Sequence, residues 1–124
     1  MMLTLAPITE KDFRQAILDL CRYTGWKYYF SWTSIHSPAG FPDLLLVRGS
    51  ELIAAELKSE RGRVTPAQQG WIDALSRAGI EVHVWRPADF NAIVARLEAR
   101  CAAASCYNEH KVTLALASRK DDQP

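Results

Sequence analysis

Charge of one sign is what this sequence has least of: the formal balance is +1 across 124 residues. That falls short of the strongly basic composition that marks a nucleic-acid binder on its own, so any contact with phosphate has to be local. Apolar runs of membrane-spanning length are missing, and so are the charged start and apolar core of a secretory signal. No membrane partner and a cytoplasmic, intracellular location are the expectation. Cysteines are few; Cys21, Cys101 and Cys106 are odd in number and lack metal-ligand spacing. They read as free thiols of a reducing compartment, with Cys21 and Cys101 on apolar helical positions. Neither an internal repeat nor a Gly-rich phosphate loop is present. The length suits one domain with a single core and no separate binding domain.

What is there is organised around Gly40-Phe41-Pro42-Asp43-Leu44-Leu45-Leu46-Val47 and Leu52-Ile53-Ala54-Ala55-Glu56-Leu57-Lys58. Both are short apolar runs, joined by Arg48-Gly49-Ser50-Glu51, which predicts a hairpin. A two-residue type II′ turn, with glycine at its first central position, pairs Arg48 with Glu51 and sets Asp43 opposite Glu56. Directly paired residues share a face with Cβ atoms roughly 4.5–5.5 Å apart, and Lys58 returns to that face two residues after Glu56.

Two carboxylates and an ammonium thus converge among Leu, Val and Ala, where water screens their repulsion poorly. A buried Glu56–Lys58 ion pair would account for two of the three charges and leave Asp43 unexplained. A divalent cation, Mg2+ or Mn2+, held by the carboxylates accounts for all three. Such a site suits phosphodiester hydrolysis, with Lys58 steering water or stabilising developing charge.

Around the hairpin, Thr9 precedes a helical pattern carrying Phe13, Ala16, Ile17, Leu20 and Cys21, stopped by Thr24-Gly25. Glu10 lies in its first turn, where a carboxylate favours the helix dipole. An aromatic strand follows over residues 26–32, and one of its Tyr or Trp side chains could stack on an unpaired base, though the sequence does not select which. His36, in the loop entering the hairpin, is a candidate phosphate contact or an ordinary loop residue. After the hairpin, Arg61 and Arg63 stand in a polar loop that reads as a solvated turn or a phosphate-contacting arm. Thr65-Pro66-Ala67-Gln68 is a helix start with N-cap, Pro at the first helical position and a capping-box Gln68. Its apolar face holds Ala67, Trp71, Ala74, Leu75 and Ala78. A strand over residues 81–86 ends at Arg86, a candidate for phosphate or for a surface salt bridge. His83 reads as a packed strand residue, and a last helix carries Phe90, Ile93, Val94, Leu97 and Cys101. Both hairpin strands are apolar on both faces, as for a sheet covered by helices on either side. Residues 1–104 form the expected domain; 105–124 read as an edge strand, a partner-contacting arm or a tail.

Pro42-Asp43, twelve residues, then Glu56-Leu57-Lys58 resembles the PD-(D/E)xK nuclease superfamily. With the flanks Ala39-Gly40-Phe41, Gly62-Arg63-Val64-Thr65-Pro66-Ala67-Gln68, Trp71 and Val84-Trp85-Arg86-Pro87, the chain is similar to the VRR-NUC family, the virus-type replication and repair nuclease domain, over about residues 8–98. The resemblance implies a restriction-endonuclease-like α/β fold: a mixed sheet of about four strands flanked by helices. It also implies DNA as substrate, a metal ligand in the Leu57 main-chain carbonyl, Gln68 at the border of the site, and Glu10 as a candidate ligand from the first helix. Compact members of the family resemble Holliday-junction resolvases that act as two-fold dimers, so branched DNA and a homodimer are the expected partners, in the host-cell cytoplasm if the chain is viral. A non-catalytic DNA-binding or assembly module and a sequence-specific restriction-like endonuclease are the alternatives.

Overall fold

The computed structural model describes residues 8–31 and 36–99. Helix α1 (Glu10–Thr24) begins where Thr9 Oγ1 accepts from the Asp12 N–H at 3.0 Å and ends at Gly25, whose φ of 83° only glycine adopts without strain. Strands β1 (Lys27–Phe30), β2 (Leu44–Arg48) and β3 (Glu51–Leu57) follow. Then come helix α2 (Pro66–Arg77), strand β4 (Glu81–Trp85), a 3-10 turn over Pro87–Asp89 and helix α3 (Phe90–Glu98). The mixed four-stranded sheet has the order β1-β2-β3-β4, with β3 and β4 parallel and the other pairs antiparallel. Parallel strands need a crossover between them, which is why α2 stands between β3 and β4.

The hairpin has the register that its turn dictates. Arg48 pairs with Glu51 and Leu44 with Ala55. Gly49 has φ of 60°, and no described non-glycine residue has a positive φ, which fits the type II′ turn.

One face of the sheet carries the core. Leu44, Leu46, Ile53, Ala55, Leu57 and Trp85 meet Phe13, Ile17, Leu18 and Cys21 of α1 and Ile93 and Leu97 of α3. Each fully buried Leu, Ile or Phe among them contributes about 1.5–3 kcal/mol. Cys21 is a free thiol sealed in this core, and burial pushes its pKa up to about 11. Cys101 and Cys106, like the predicted tail, lie outside the described residues.

Helices stand on both faces, as expected, but among the described residues the opposite face is covered on one half only. Helix α2 packs against β4, and none of its residues is fully buried. On β2, Leu45 is half-buried and Val47 exposed, so the apolar run there does not report burial on both faces. A single crossover helix spans too little of a four-stranded sheet to shield all of it. No described helix is long and apolar enough to cross a membrane.

Candidate active site

The register that pairs Leu44 with Ala55 continues outward by one step. Asp43 accepts from the Ser31 N–H through its own carbonyl at 2.9 Å, extending the β1–β2 ladder to the end of β2. Its carboxylate turns across the strand end, where Oδ2 accepts from the Leu57 N–H at 2.9 Å. The N–H and C=O of one strand residue point to the same side, so the Leu57 carbonyl is directed towards Asp43 as well. Lys58, next along, donates its N–H the other way, to the Trp85 carbonyl at 2.9 Å.

Glu56 is the only buried charged residue among those described, with 3% of its surface exposed. Its Oε1 accepts from Gln68 Nε2 at 2.9 Å and lies 3.9 Å from Lys58 Nζ. Its Oε2 is buried without a hydrogen-bond partner. Burial first, and then the neighbouring Asp43 carboxylate, push the pKa of Glu56 up to about 8, while Lys58 pulls the other way. An acid so destabilised in its charged form is short of positive charge on one oxygen.

Gln68 arrives from the first turn of α2 and has two roles at once. Its Oε1 accepts from the Thr65 N–H at 2.9 Å while Thr65 Oγ1 accepts from the Gln68 N–H, closing the capping box. The free end of the same amide reaches Glu56. Cap and site therefore do not compete for this residue, because the two ends of an amide bond independently.

The loop ahead of Asp43 is clamped to the same helix. Gly40 has φ of 97°, and a Cβ placed on it would lie 2.5 Å from the Ala67 carbonyl group and 2.7 Å from the Gln68 nitrogen. Phe41 packs edge-on against Trp71 with ring centroids 5.0 Å apart, and Pro42 is fully buried. The sequence named Gly40 within the motif but gave it no role; a glycine directly before the aromatic-Pro-Asp run was the available signal.

The other sequence candidates lie further out. Arg86 turns inward, its Nη1 donating to the Ser59 and Gly62 carbonyls at 2.6 Å, so it ties down the loop after Lys58. Three carbonyls of one tight loop face its Nη1, and among the described residues it makes no salt bridge. Arg61 and Arg63, on that loop, are exposed, as is His36. Glu10 is exposed at the start of α1, and among the described residues no third His, Cys, Asp or Glu joins Asp43 and Glu56 in a metal-holding group. His83 stacks on Trp85 and lies 2.7 Å from Glu81, away from the carboxylates.

Comparison with known proteins gives three findings. The VRR-NUC domain family matches residues 8–89. A solved structure of a VRR_NUC domain protein superposes with a TM-score of 0.58 at 22% identity, covering 74% of this chain and 92% of that one. A structure of Hjc from Archaeoglobus fulgidus, a Holliday junction resolvase, gives a TM-score of 0.48 at 18% identity, covering 62% of this chain and 69% of that one. No curated protein matches the sequence.

Proposed function

The chain belongs to the VRR-NUC domain family, a family of nucleases, and on that premise we propose that it is a divalent-metal-dependent endonuclease cutting phosphodiester bonds of DNA. The observation that supports this most is the buried Glu56 Oε2, unpartnered beside Asp43 in a protein that otherwise satisfies its buried side chains among the described residues. An orphaned acidic oxygen next to a second carboxylate, at a strand end whose Leu57 carbonyl faces the same side as the N–H bonded to Asp43, fits a hard divalent cation.

Asp43, Glu56 and the Leu57 carbonyl would hold Mg2+ or Mn2+. When bound, such an ion supplies positive charge to a phosphoryl oxygen and acidifies water. The protein's own groups do the rest. Gln68 fixes the rotamer of Glu56, and the Leu57 N–H fixes that of Asp43. Lys58, its side chain mostly buried and its Nζ 3.9 Å from Glu56, orients a water or stabilises charge developing on the phosphate. Arg61 and Arg63, presented by the loop that Arg86 anchors, hold flanking phosphates, with His36 on the loop entering Asp43 as a further contact. Glu10 takes no part in this set.

Branched DNA is the substrate proposed, a four-way junction above all. Among the described residues the candidate contacts Arg61, Arg63 and His36 suit phosphate, which positions DNA without reading its sequence, and a two-fold pair of copies would present two sites to two strands. Such work belongs inside the cell, in DNA repair or replication. On this reading residues 1–104 make the nuclease domain and 105–124 serve as a tail or partner-contacting arm.

The test is a panel of four-way junction, flap, single-stranded and linear duplex DNA, incubated with Mg2+ or Mn2+ and with EDTA. Cutting of the junction in preference to linear duplex, by a protein of dimer mass, is expected. Equal cutting of all forms would remove the branched substrate, cleavage confined to one duplex sequence would make the protein restriction-like, and metal-dependent binding without cutting would make it an assembly module.

A further inference from the structure

The half of the sheet left uncovered among the described residues adjoins the candidate site. Tyr28 and Phe30 of β1 pack against the core, so the alternation of the strand sends Lys27 and Tyr29 to the other face. That is the face of Asp43 and Glu56. Ser31 pairs with Asp43 and Tyr29 with Leu45, which makes Tyr29 the diagonal neighbour of Asp43, about 7–8 Å away.

Tyr29 has 66% of its surface exposed, and among the described residues its ring has no aromatic or cationic neighbour and its hydroxyl no hydrogen bond. Tyr28, next to it in sequence, has both: an Arg22 guanidinium over its ring and a hydrogen bond from Arg22 to its hydroxyl. Lys27, exposed and one step further along the same face, places a cation beyond the ring, and Leu45 lies half-buried beneath it. A flat apolar ring bracketed by Lys27 on one side and the phosphodiester site on the other matches a nucleobase between two phosphates.

Resting on the nuclease reading above, we propose that Tyr29 is the base platform of the site: it stacks on a nucleobase whose face is free, next to the phosphodiester lying at Asp43 and Glu56, and Lys27 holds the adjoining phosphate. A base inside a duplex is stacked on its neighbours and has no free face to offer the ring. A paired base at the centre of an open four-way junction has one, and so does an unpaired base in a bulge or a single strand. Tyr29 therefore selects DNA with unstacked bases, through stacking that is indifferent to base identity.

The full-length protein tests this in EDTA, by fluorescence anisotropy with a labelled duplex carrying a two-base bulge and with the same duplex fully paired. Tyr29→Ala is expected to weaken binding of the bulged DNA roughly 5- to 150-fold, the range covered by stacking of one base. Binding of the paired duplex stays unchanged, and Tyr29→Phe, which keeps the ring, stays within about twofold of the unsubstituted protein. Sedimentation of Tyr29→Ala gives an unchanged mass, any pairing of copies using another surface. No preference of the unsubstituted protein for the bulge, equal losses on both DNAs, or a halved mass would overturn the proposal; the last would assign the face to a second copy of the chain. Because binding is read without metal and without cutting, a protein that prefers the bulge but cleaves nothing would keep the platform and lose the nuclease.

Discussion

Gln68 Nε2 donates to Glu56 Oε1 at 2.9 Å from a side chain whose other end caps its own helix. The first turn of α2 is thereby fixed to the end of β3, and the orientation of one carboxylate depends on how well a helix starts.

The two functions of Gln68 separate by substitution. Thr65→Ala removes the hydroxyl half of the capping box and costs about 1 kcal/mol, but leaves the Gln68 amide able to reach Glu56. Gln68→Ala keeps that hydroxyl bond, which comes from the Gln68 backbone N–H, and removes the amide's bonds to the Thr65 N–H and to Glu56. Similar drops in melting temperature are expected for the two variants, about 4–8 °C per kcal/mol. Initial rates of DNA cleavage should separate them: roughly tenfold lower for Gln68→Ala, within about threefold of the unsubstituted protein for Thr65→Ala.

Gly40 and Gly49 both have positive φ, yet substitution should affect them unequally. At Gly49 an added Cβ meets nothing within 4 Å, so Gly49→Ala carries only the backbone cost, about 1–2 kcal/mol. At Gly40 the same Cβ runs into the backbone of Ala67 and Gln68, which no side-chain rotation relieves. Gly40→Ala is expected to melt well below Gly49→Ala and to lose cleavage, as the first turn of α2 is pushed off the Asp43 loop. Thermal denaturation of both variants, with the cleavage rate of each, checks this.

Stability of the metal-free protein should fall as pH rises through neutrality. Glu56 has its pKa raised from 4.5 to about 8 in the folded chain, so the native state holds a proton that the unfolded chain releases. Its contribution is fully present below about pH 4.5 and is lost as pH rises through about 8. Glu81 is shifted downward, by its bond from Arg96 above all, so its own dependence lies below 4.5 and leaves this window clear. Melting temperature is expected to drop by several degrees from pH 5.5 to 8.5, roughly 4–8 °C for each kcal/mol. Glu56→Gln should flatten that slope, and Mg2+ should restore stability at pH 8.5 by favouring the carboxylate.

The hairpin that carries Asp43 and Glu56 was legible in the sequence because each of its determinants is local. Gly49-Ser50 sets the turn, the turn sets the register, and the register brings Asp43 to Glu56. The helix starts at Thr9 and Thr65 were legible for the same reason. What escaped was set by contacts distant in sequence. The guanidinium of Arg48, read only as the partner of Glu51, also lies over Trp26 at 4.4 Å and donates to the Leu97 and Ala99 carbonyls at 2.7 Å, joining the hairpin to the start of β1 and the end of α3. Arg86 looked like a surface cation because nothing in its neighbourhood announces that three loop carbonyls fold over it. The exposure of Tyr29 depends on how far α2 reaches across the sheet, a matter of packing that alternation along β1 cannot reveal.

If Asp43 and Glu56 hold the ion with which this chain cuts DNA, cleavage must depend on both the metal and the Asp43 charge. The rate of four-way junction cleavage in Mg2+ and in EDTA reads this for the unsubstituted protein and for Asp43→Asn, which keeps the size of the side chain and removes its charge. Cutting in Mg2+ alone, reduced at least about a hundredfold by Asp43→Asn while DNA binding and melting temperature stay close to those of the unsubstituted protein, is the expected result. Cleavage that persists in EDTA, or that Asp43→Asn leaves intact, would contradict it.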